Sequence, residues 1–280
     1  MAISLKTFIR CTTYACLILF TQLLDLSAAD SRQTLASAID VDAIPTGSQD
    51  RSPEPTAESK NTENVLKILS RSTRFIEATP AFVIKGNTGG ELILENGQLV
   101  EYGTSFTAIF KRPSQLRLLL NSRDGSETTM IFDGEIITVV SNFEGQHVYD
   151  TAAQPGDVDE SLNFMSDQTG SSRELEYFLS REWTMSLNRV RSGISLGKSA
   201  IEGVWCDHLA IRSDTKDGQV WIARGDEPVP WRILITNRED PLQPRFWIQF
   251  DEWDFSPNFS ESTFRFTPPE DAVKFRYFQD

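Results

Sequence analysis

Two alternating segments that flank Asn96-Gly97 constrain the fold of this chain more than any other feature of its sequence. Successive side chains of a strand point to opposite faces. The second segment, residues 99–110, therefore places five side chains on one largely apolar face: Tyr102, Thr104, Phe106, Ala108 and Phe110. An Asn-Gly pair between such segments favours a tight antiparallel hairpin. The apolar face of that hairpin must be buried against other elements.

Strand patterns occupy most of the chain beyond this hairpin. They are predicted at residues 82–84, 92–94, 116–120, 128–132, 136–140, 147–149, 193–197, 204–213, 219–223, 231–237 and 246–255. Gly89-Gly90 is expected to separate the first two, and Asp133-Gly134, Asp217-Gly218 and Gly225-Asp226 mark turns. Strands and helices do not alternate, which argues against a parallel doubly wound sheet.

Helical spacing is confined to two regions. Val65, Leu69, Ser72 and Ile76 recur at the period of an amphipathic helix, which Asn61 or Thr62 would cap. Two short helices are predicted from two further apolar sets: Val158, Leu162 and Met165, and then Leu175, Phe178 and Leu179. We therefore expect a mainly β (α+β) fold, in which a curved antiparallel sheet wraps over helices and leaves a gap for an apolar ligand.

The N-terminal residues have the pattern of an export signal. Lys6 and Arg10 precede an apolar run over residues 11–24, and Ser27-Ala28-Ala29 resembles a cleavage site. We predict a cleaved signal peptide over residues 1–29, a periplasmic location and no membrane span after cleavage. Residues 30–60 are rich in Ser, Thr, Pro and acidic residues, which predicts a disordered linker.

The charge and the cysteine content exclude several classes of function. The net charge of −13 argues against binding of nucleic acid or of anionic membrane surfaces. Cys11 and Cys16 lie in the predicted leader, so only Cys206 remains in the mature chain and no internal disulfide can form.

Short motifs in a fixed order resemble a family of predicted periplasmic proteins, domain of unknown function 2092, from about Leu66 to Tyr277. The matching motifs are Glu95-Asn96-Gly97, Phe110-Lys111-Arg112-Pro113, Phe132-Asp133-Gly134, Val148-Tyr149, residues 203–210, residues 219–222, Pro228-Val229-Pro230, Trp253 and residues 264–269. The family is similar to the lipoprotein-localisation carriers. The resemblance implies a LolA-like fold over residues 61–280, an unclosed β-barrel whose open side is plugged by helices.

Aromatic residues distributed over several strands are the main candidates for a ligand cavity. The set comprises Phe106, Phe110, Trp205, Trp221, Trp231, Trp247 and Trp253. These rings could instead form an ordinary core. Arg112 and His208 are candidate polar contacts, since an arginine at a strand end can hold a lipid headgroup or a partner's carboxylate.

No motif indicates a catalytic centre, a metal site or a cofactor. Cys206 and His208 share a strand face, but a zinc site needs three or four ligands and the only other histidine is His147. A buried thiol beside a hydrogen-bonded imidazole is the simpler interpretation. The acidic residues around Trp253, namely Asp251, Glu252 and Asp254, are typical of a solvated sheet edge.

Three functions remain open at this point. The first is a periplasmic carrier that binds a lipid, a lipoprotein or another hydrophobic molecule between the sheet and the helices. The second is a non-enzymatic interaction module of the cell envelope with a filled core and a protein partner. The third is a hydrolase that uses Cys206 and His208. An apolar cavity of several hundred cubic ångströms would favour the carrier, and a packed interior would favour the interaction module.

Overall fold

The computed structural model describes residues 56–143, 146–169, 175 and 178–278, apart from the side chains of residues 143, 169, 182 and 261. The predicted signal peptide and all but the last residues of the predicted linker lie outside this range. Residues 57–60, which the sequence assigned to the linker, form the first turn of a helix.

The described chain contains three helices with defined bounds, further helical residues at 175 and 178–179, and twelve strands. The helices are α1 (Ala57–Ala78), α2 (Val158–Thr169) and α3 (Glu182–Ser186), with short 3₁₀ turns at Leu187–Arg189 and Glu261–Phe264. The strands are β1 (Ala81–Ile93), β2 (Leu99–Lys111), β3 (Gln115–Ser122), β4 (Glu127–Phe132), β5 (Ile136–Phe143), β6 (Gln146–Ala153), β7 (Ser192–Ile201), β8 (Val204–Arg212), β9 (Lys216–Ala223), β10 (Pro230–Asn237), β11 (Arg245–Asp254) and β12 (Val273–Lys274).

All the strands join one curved sheet in the order β12-β6-β5-β4-β3-β2-β1-β11-β10-β9-β8-β7. The terminal strands β12 and β7 do not pair with each other, so the barrel stays open. The predicted fold class is therefore confirmed. One detail differs, because β12 runs parallel to β6 while every other pair is antiparallel.

One face of the sheet, which we call the covered face, packs against the helices. Its core joins side chains from both halves of the sheet, such as Phe132 and Ile248, to Leu69 of α1 and Leu162 of α2. All four side chains are at most 1% exposed. Burial on this scale is the main favourable term that holds a sheet and its helices together.

Helix α1 lies against the terminal strand β7. A Cβ atom on Gly193 would lie 3.0 Å from Val65, so the glycine permits this close approach. The backbone amide of Gly193 donates a hydrogen bond of 3.0 Å to the hydroxyl of Thr62. The prediction that Asn61 or Thr62 caps α1 is wrong, because the helix begins at Ala57 and Thr62 instead joins it to the sheet.

Strand β1 is continuous through Gly89-Gly90, where the sequence predicted a break. A Cβ atom on Gly89 would lie 2.8 Å from the ring of Trp247, and one on Gly90 would lie 2.8 Å from the hydroxyl of Tyr102. The two glycines therefore make room for neighbouring rings within the strand rather than ending it.

The start of α2 is fixed beside the end of β2. Asp157 and Glu160 form a capping box, in which the amide of Glu160 donates to Asp157 Oδ1 over 3.0 Å and the amide of Asp157 donates to Glu160 Oε2 over 2.8 Å. The amide of Val158 also donates to the carbonyl of Pro113. These bonds place acidic residues of α2 near Arg112. No helix in the described part of the chain is long and apolar enough to cross a membrane.

A cavity around Arg112 as the candidate functional site

The predicted cavity residues divide between the two faces of the sheet. Phe106 and Phe110 are buried in the continuous core of the covered face, and Trp253 packs against that core. Trp221 and Trp247 lie on the opposite, outer face, where Trp221 is opposite His208 and Trp247 is opposite Gly89 in the strand register. Trp231 is half-buried at an irregularity in β10, and Trp205 is 61% exposed.

The aromatic rings of the outer face are engaged by neighbouring polar side chains. The His208 imidazole stacks on Trp221 with centroids 4.2 Å apart, and its Nε2 lies 3.0 Å from Gln219 Oε1. The Arg232 guanidinium lies 5.6 Å from the centre of the Trp247 ring. These contacts across neighbouring strands stabilise the sheet and leave little ring face for a ligand.

Cys206 and His208 form no recognisable catalytic pair. The Cys206 residue is 0% exposed. Burial, and then the charge of Asp207, raise the pKa of its thiol to about 11, so the nucleophilic thiolate is scarce at neutral pH. Within the described residues, no group of three or more histidine, cysteine or acidic side chains could hold a metal ion.

The acidic residues around Trp253 have structural partners. Asp251 Oδ2 accepts a hydrogen bond of 2.7 Å from Asn87, and Glu252 pairs with Lys85 at 2.8 Å. Asp254 Oδ1 accepts from the backbone amide of Ser256. Burial, and then the charge of Glu202, raise the pKa of Asp251 above its usual value. These contacts join neighbouring strands or fix a turn.

Three of the predicted residues meet at one small cavity between the covered face and the helices, which we call the arginine cavity. Phe110, Arg112 and Trp253 line it, together with Phe82 from β1. Phe82 and Phe110 stack with centroids 4.7 Å apart, and Trp253 lies 6.2 Å from Phe82. The volume is about 30 Å³, which is room for roughly two water molecules.

The Arg112 side chain is the unusual member of this cavity. Its guanidinium carbon lies 5.8 Å from the ring centres of both Phe82 and Phe110. Its Nε is buried and has no hydrogen-bond partner, and within the described chain no carboxylate forms an ion pair with the group. A buried donor that lacks a partner is rare and costly in a folded protein.

Charges around Arg112 oppose one another. Burial is the main cause that lowers the pKa of the guanidinium from its ordinary value, and the positive charge of Arg181 acts in the same direction. The negative charges of Asp159, Glu77 and Asp157 act against it. An arginine remains protonated despite such a shift, so a positive charge faces this aromatic cavity.

A short segment, residues 178–186, covers the arginine cavity, and we call it the cover segment. The Phe178 ring packs on Phe250 of the sheet with centroids 5.0 Å apart, and on Trp183 at 5.5 Å. Its ties to the other helices are polar. The hydroxyl of Thr184 donates to Glu77 over 2.8 Å, and the backbone amide of Arg181 donates to Asp159 over 2.7 Å.

The sequence did not identify the cover segment or Phe82 as parts of the site. Phe178 was recognised only as one apolar position of a short helix. Its contact with Phe250 joins positions far apart in the chain, and no local pattern reports such a contact. Arg112 was found because it ends a strand before a proline.

Residues 66–276 match the family model described as "Predicted periplasmic protein (DUF2092)". The chain belongs to this family. The resemblance seen in the sequence is confirmed, and the predicted periplasmic location agrees with the description of the DUF2092 family. No curated protein matches the chain significantly.

Solved structures with a similar fold are distant from this DUF2092 member in sequence. The lipoprotein LppX of Mycobacterium tuberculosis is 12% identical, with a TM-score of 0.42 over 70% of this chain and 98% of that chain. LprF from Mycobacterium bovis is 11% identical, with a TM-score of 0.45 over 72% and 98%. A LolA superfamily protein from Nitrosomonas europaea is 9% identical, with a TM-score of 0.32 over 73% and 97%.

Proposed function

We propose that this protein is a periplasmic carrier that binds an amphipathic molecule, an apolar body with a carboxylate or phosphate group, between the sheet and the helices. The observation that carries the proposal is the half-buried Arg112 guanidinium, whose Nε is buried without a hydrogen-bond partner and which forms no ion pair with a described carboxylate. A cation in this position costs free energy, and the anionic group of a ligand would offset that cost.

The walls of the arginine cavity suit the apolar part of such a ligand. Phe82, Phe110, Phe178, Trp183 and Trp253 surround Arg112 and offer ring faces and edges. Sites for small molecules are mostly apolar with polar groups that fix the ligand's orientation, and eight of the fourteen lining residues here are apolar. The ligand class is therefore lipid-like, with Arg112 at its polar end.

Entry of a ligand requires movement of the cover segment. A volume of about 30 Å³ excludes a lipid chain. The tie between Thr184 and Glu77 is exposed, and the Arg181 side chain that pairs with Asp159 is 60% exposed. Exposed polar contacts of this kind contribute about 0–1 kcal/mol each. Phe178, Leu179 and Trp183 are at most 9% exposed, so the main cost of opening is the exposure of these side chains, which ligand binding must offset. In this proposal the structure is the closed arrangement.

Fluorescence titration tests the role of Arg112. The protein without residues 1–29 is titrated with 11-(dansylamino)undecanoic acid and with its uncharged methyl ester. We expect the acid to bind at least about tenfold more tightly than the ester, because a charged hydrogen bond contributes about 1.5–3 kcal/mol. Arg112→Leu should remove this preference, and Arg112→Lys should keep part of it. Equal preference in the wild type and in Arg112→Leu would refute the proposal.

The cover segment gives a second, kinetic test. Thr184→Val removes the hydroxyl that donates to Glu77 and should speed association of the dansyl acid several-fold. Ser186→Ala is the matched control, because the Ser186 hydroxyl bonds only within the segment, to the carbonyl of Trp183. Identical association rates for the two variants would argue against opening at this tie.

A second candidate, the envelope interaction module, is favoured by the packed interior. Phe82, Phe110 and Phe250 are at most 1% exposed, whereas Trp205, Ile194 and Leu196 are more than half exposed. Organic extraction and mass spectrometry of protein purified from the periplasm separate the two functions. Co-purified lipid supports the carrier. An empty extract together with no dansyl binding overturns it, and a stoichiometric partner in a pull-down would then support the module.

A further inference from the structure

A second opening lies at the other end of the covered face, and we call it the C-terminal groove. It is bounded by β6, α2 and the chain that follows β12, and its volume is about 690 Å³. It shares no lining residue with the arginine cavity. Binding sites for small molecules span about 300–1,000 Å³, so this groove can accept a ligand without any movement of the cover segment.

The walls of the C-terminal groove offer an apolar surface. Phe164 of α2 and Phe278 of the C-terminal segment lie against each other, with ring centroids 5.4 Å apart. Ala152 and Ala153 of β6 contribute small side chains that leave the space between these walls open. The groove combines this apolar surface with the polar residues Asp150, Thr151, Lys274 and Arg276, so it suits a ligand that has both an alkyl chain and a polar head group.

The C-terminal wall of the groove is held in place by a buried carboxylate. Asp150 is 6% exposed, and its Oδ2 accepts hydrogen bonds from the backbone amides of Tyr277, at 2.7 Å, and Phe278, at 3.0 Å. Its Oδ1 accepts from the amide of Thr151. The amide of Phe275 also donates to the carbonyl of Tyr149. The wall is therefore fixed to β6 at two successive positions.

Two basic side chains line the groove in a chain whose net charge is −13. Lys274 and Arg276 are both exposed and come from the C-terminal segment. The carboxylate of Asp150 accepts hydrogen bonds from three backbone amides, whereas Lys274 and Arg276 place positive charge at exposed positions. An anionic head group would be attracted to this side of the groove.

We propose that the C-terminal groove is a second binding site, which takes a single-chain carboxylate with the chemistry of a fatty acid. The alkyl chain lies against the Phe164–Phe278 ring pair and Ala152, and the carboxylate contacts Lys274 and Arg276. The site is independent of the proposed function, because neither Arg112 nor the cover segment contributes to it.

Titration in the Arg112→Leu background isolates the groove from the arginine cavity. Laurate and the uncharged dodecanol, which have chains of equal length, are titrated into the variant protein without residues 1–29. We expect one laurate site. The double change Lys274→Gln and Arg276→Gln, which lowers the net charge by two, should weaken laurate at least about tenfold and leave dodecanol unchanged. Lys198→Glu on β7 controls for the change in net charge.

A change that fills the groove gives the second arm. Ala152→Trp should weaken both laurate and dodecanol at least about tenfold, whereas Ala200→Trp on an exposed position of β7 should weaken neither. The exposed charge variants keep the test valid if Ala152→Trp fails to fold. Absence of laurate binding in the Arg112→Leu background, or binding that neither groove variant weakens, would overturn the proposal. The acid-over-ester preference of the wild type is measured separately, so the proposed function can fail while this site stands.

Discussion

His208 lies flat against Trp221, with the two ring planes 13° apart and the centroids 4.2 Å apart. The pair bridges β8 and β9 on the outer face, on the side of the sheet away from the continuous core. The histidine that the sequence offered as a polar ligand contact thus has a neighbour on its ring face and another, Gln219, on its Nε2. Its contacts are those of a residue that stabilises the sheet.

His208→Ala should therefore lower the free energy of unfolding without altering ligand binding. Loss of a stacked pair and of its hydrogen bond predicts a decrease of about 1–2 kcal/mol. Urea unfolding at pH 7.5 measures the change, and His208→Phe, which keeps a ring against Trp221, should recover about half of it. A loss of dansyl acid affinity in His208→Ala, with the fold intact, would instead make His208 part of the binding site.

Cys206 should react slowly with thiol reagents in the native protein. A pKa of about 11 leaves roughly 0.1% of the thiol ionised at pH 8. Reactivity should rise as the pH approaches that pKa and should become fast in urea. Labelling of the protein without residues 1–29 is followed by absorbance. Lys198→Cys in a Cys206→Ser background supplies an exposed thiol as the control. Rapid labelling of native Cys206 at pH 7 would contradict this prediction.

Local features of the sequence predicted the hairpins because a turn and its flanking strands are consecutive. Asn96-Gly97 lies in the turn between β1 and β2. The two strands pair at thirteen positions, from Ile93 opposite Leu99 to Ala81 opposite Lys111. The pairing of β1 with β11 joins Gly86 to Phe250, far apart in the chain, and no local pattern announces it. The pairing of these distant strands, and with it the open barrel, could therefore be predicted from the sequence only through the family resemblance.

The candidate site was only partly predictable because strand irregularities change which side chains share a face. Register shifts occur after Lys85 in β1 and after Pro230 in β10, and a shift of one residue exchanges the two faces of a strand. The predicted set also mixes Phe110 of the covered face with Trp221 of the outer face, because no local pattern reports how the faces of two distant strands align. The burial of Arg112 depends on the cover segment, which lies about seventy residues further along the chain.

Arg112→Leu should leave the stability of the protein unchanged or raise it by about 1 kcal/mol. A partly buried charge without an ion pair is destabilising, and the shorter apolar side chain of leucine removes that cost. The lost contacts with Phe82 and Phe110 and the space left by the shorter side chain offset part of the gain. Urea unfolding at pH 7 measures the effect. Arg117→Leu is the control, because Arg117 donates a hydrogen bond to the carbonyl of Thr263 and its loss should lower the free energy of unfolding. A loss above about 2 kcal/mol in Arg112→Leu would show a structural role.

Asp150→Asn should destabilise the protein at neutral pH by about 1–3 kcal/mol, because the carboxylate accepts three backbone hydrogen bonds. Burial alone would raise the pKa of Asp150. The amides of Phe278, Tyr277 and Thr151, with the charge of Lys274, outweigh that effect and leave the pKa below its ordinary value. A lowered pKa means that the folded protein binds fewer protons than the unfolded chain.

The contribution of Asp150 is therefore complete above the unfolded pKa of about 3.9 and is lost as the pH falls through the lower folded value. Urea unfolding of the wild type and of Asp150→Asn at pH 7, pH 5 and pH 3 should show a difference that is constant at the two higher values and smaller at pH 3. Asp226→Asn, at an exposed loop position, should differ little from the wild type throughout. If the difference for Asp150→Asn instead grew as the pH fell, the ionised form of Asp150 would not be the one that holds the C-terminal wall.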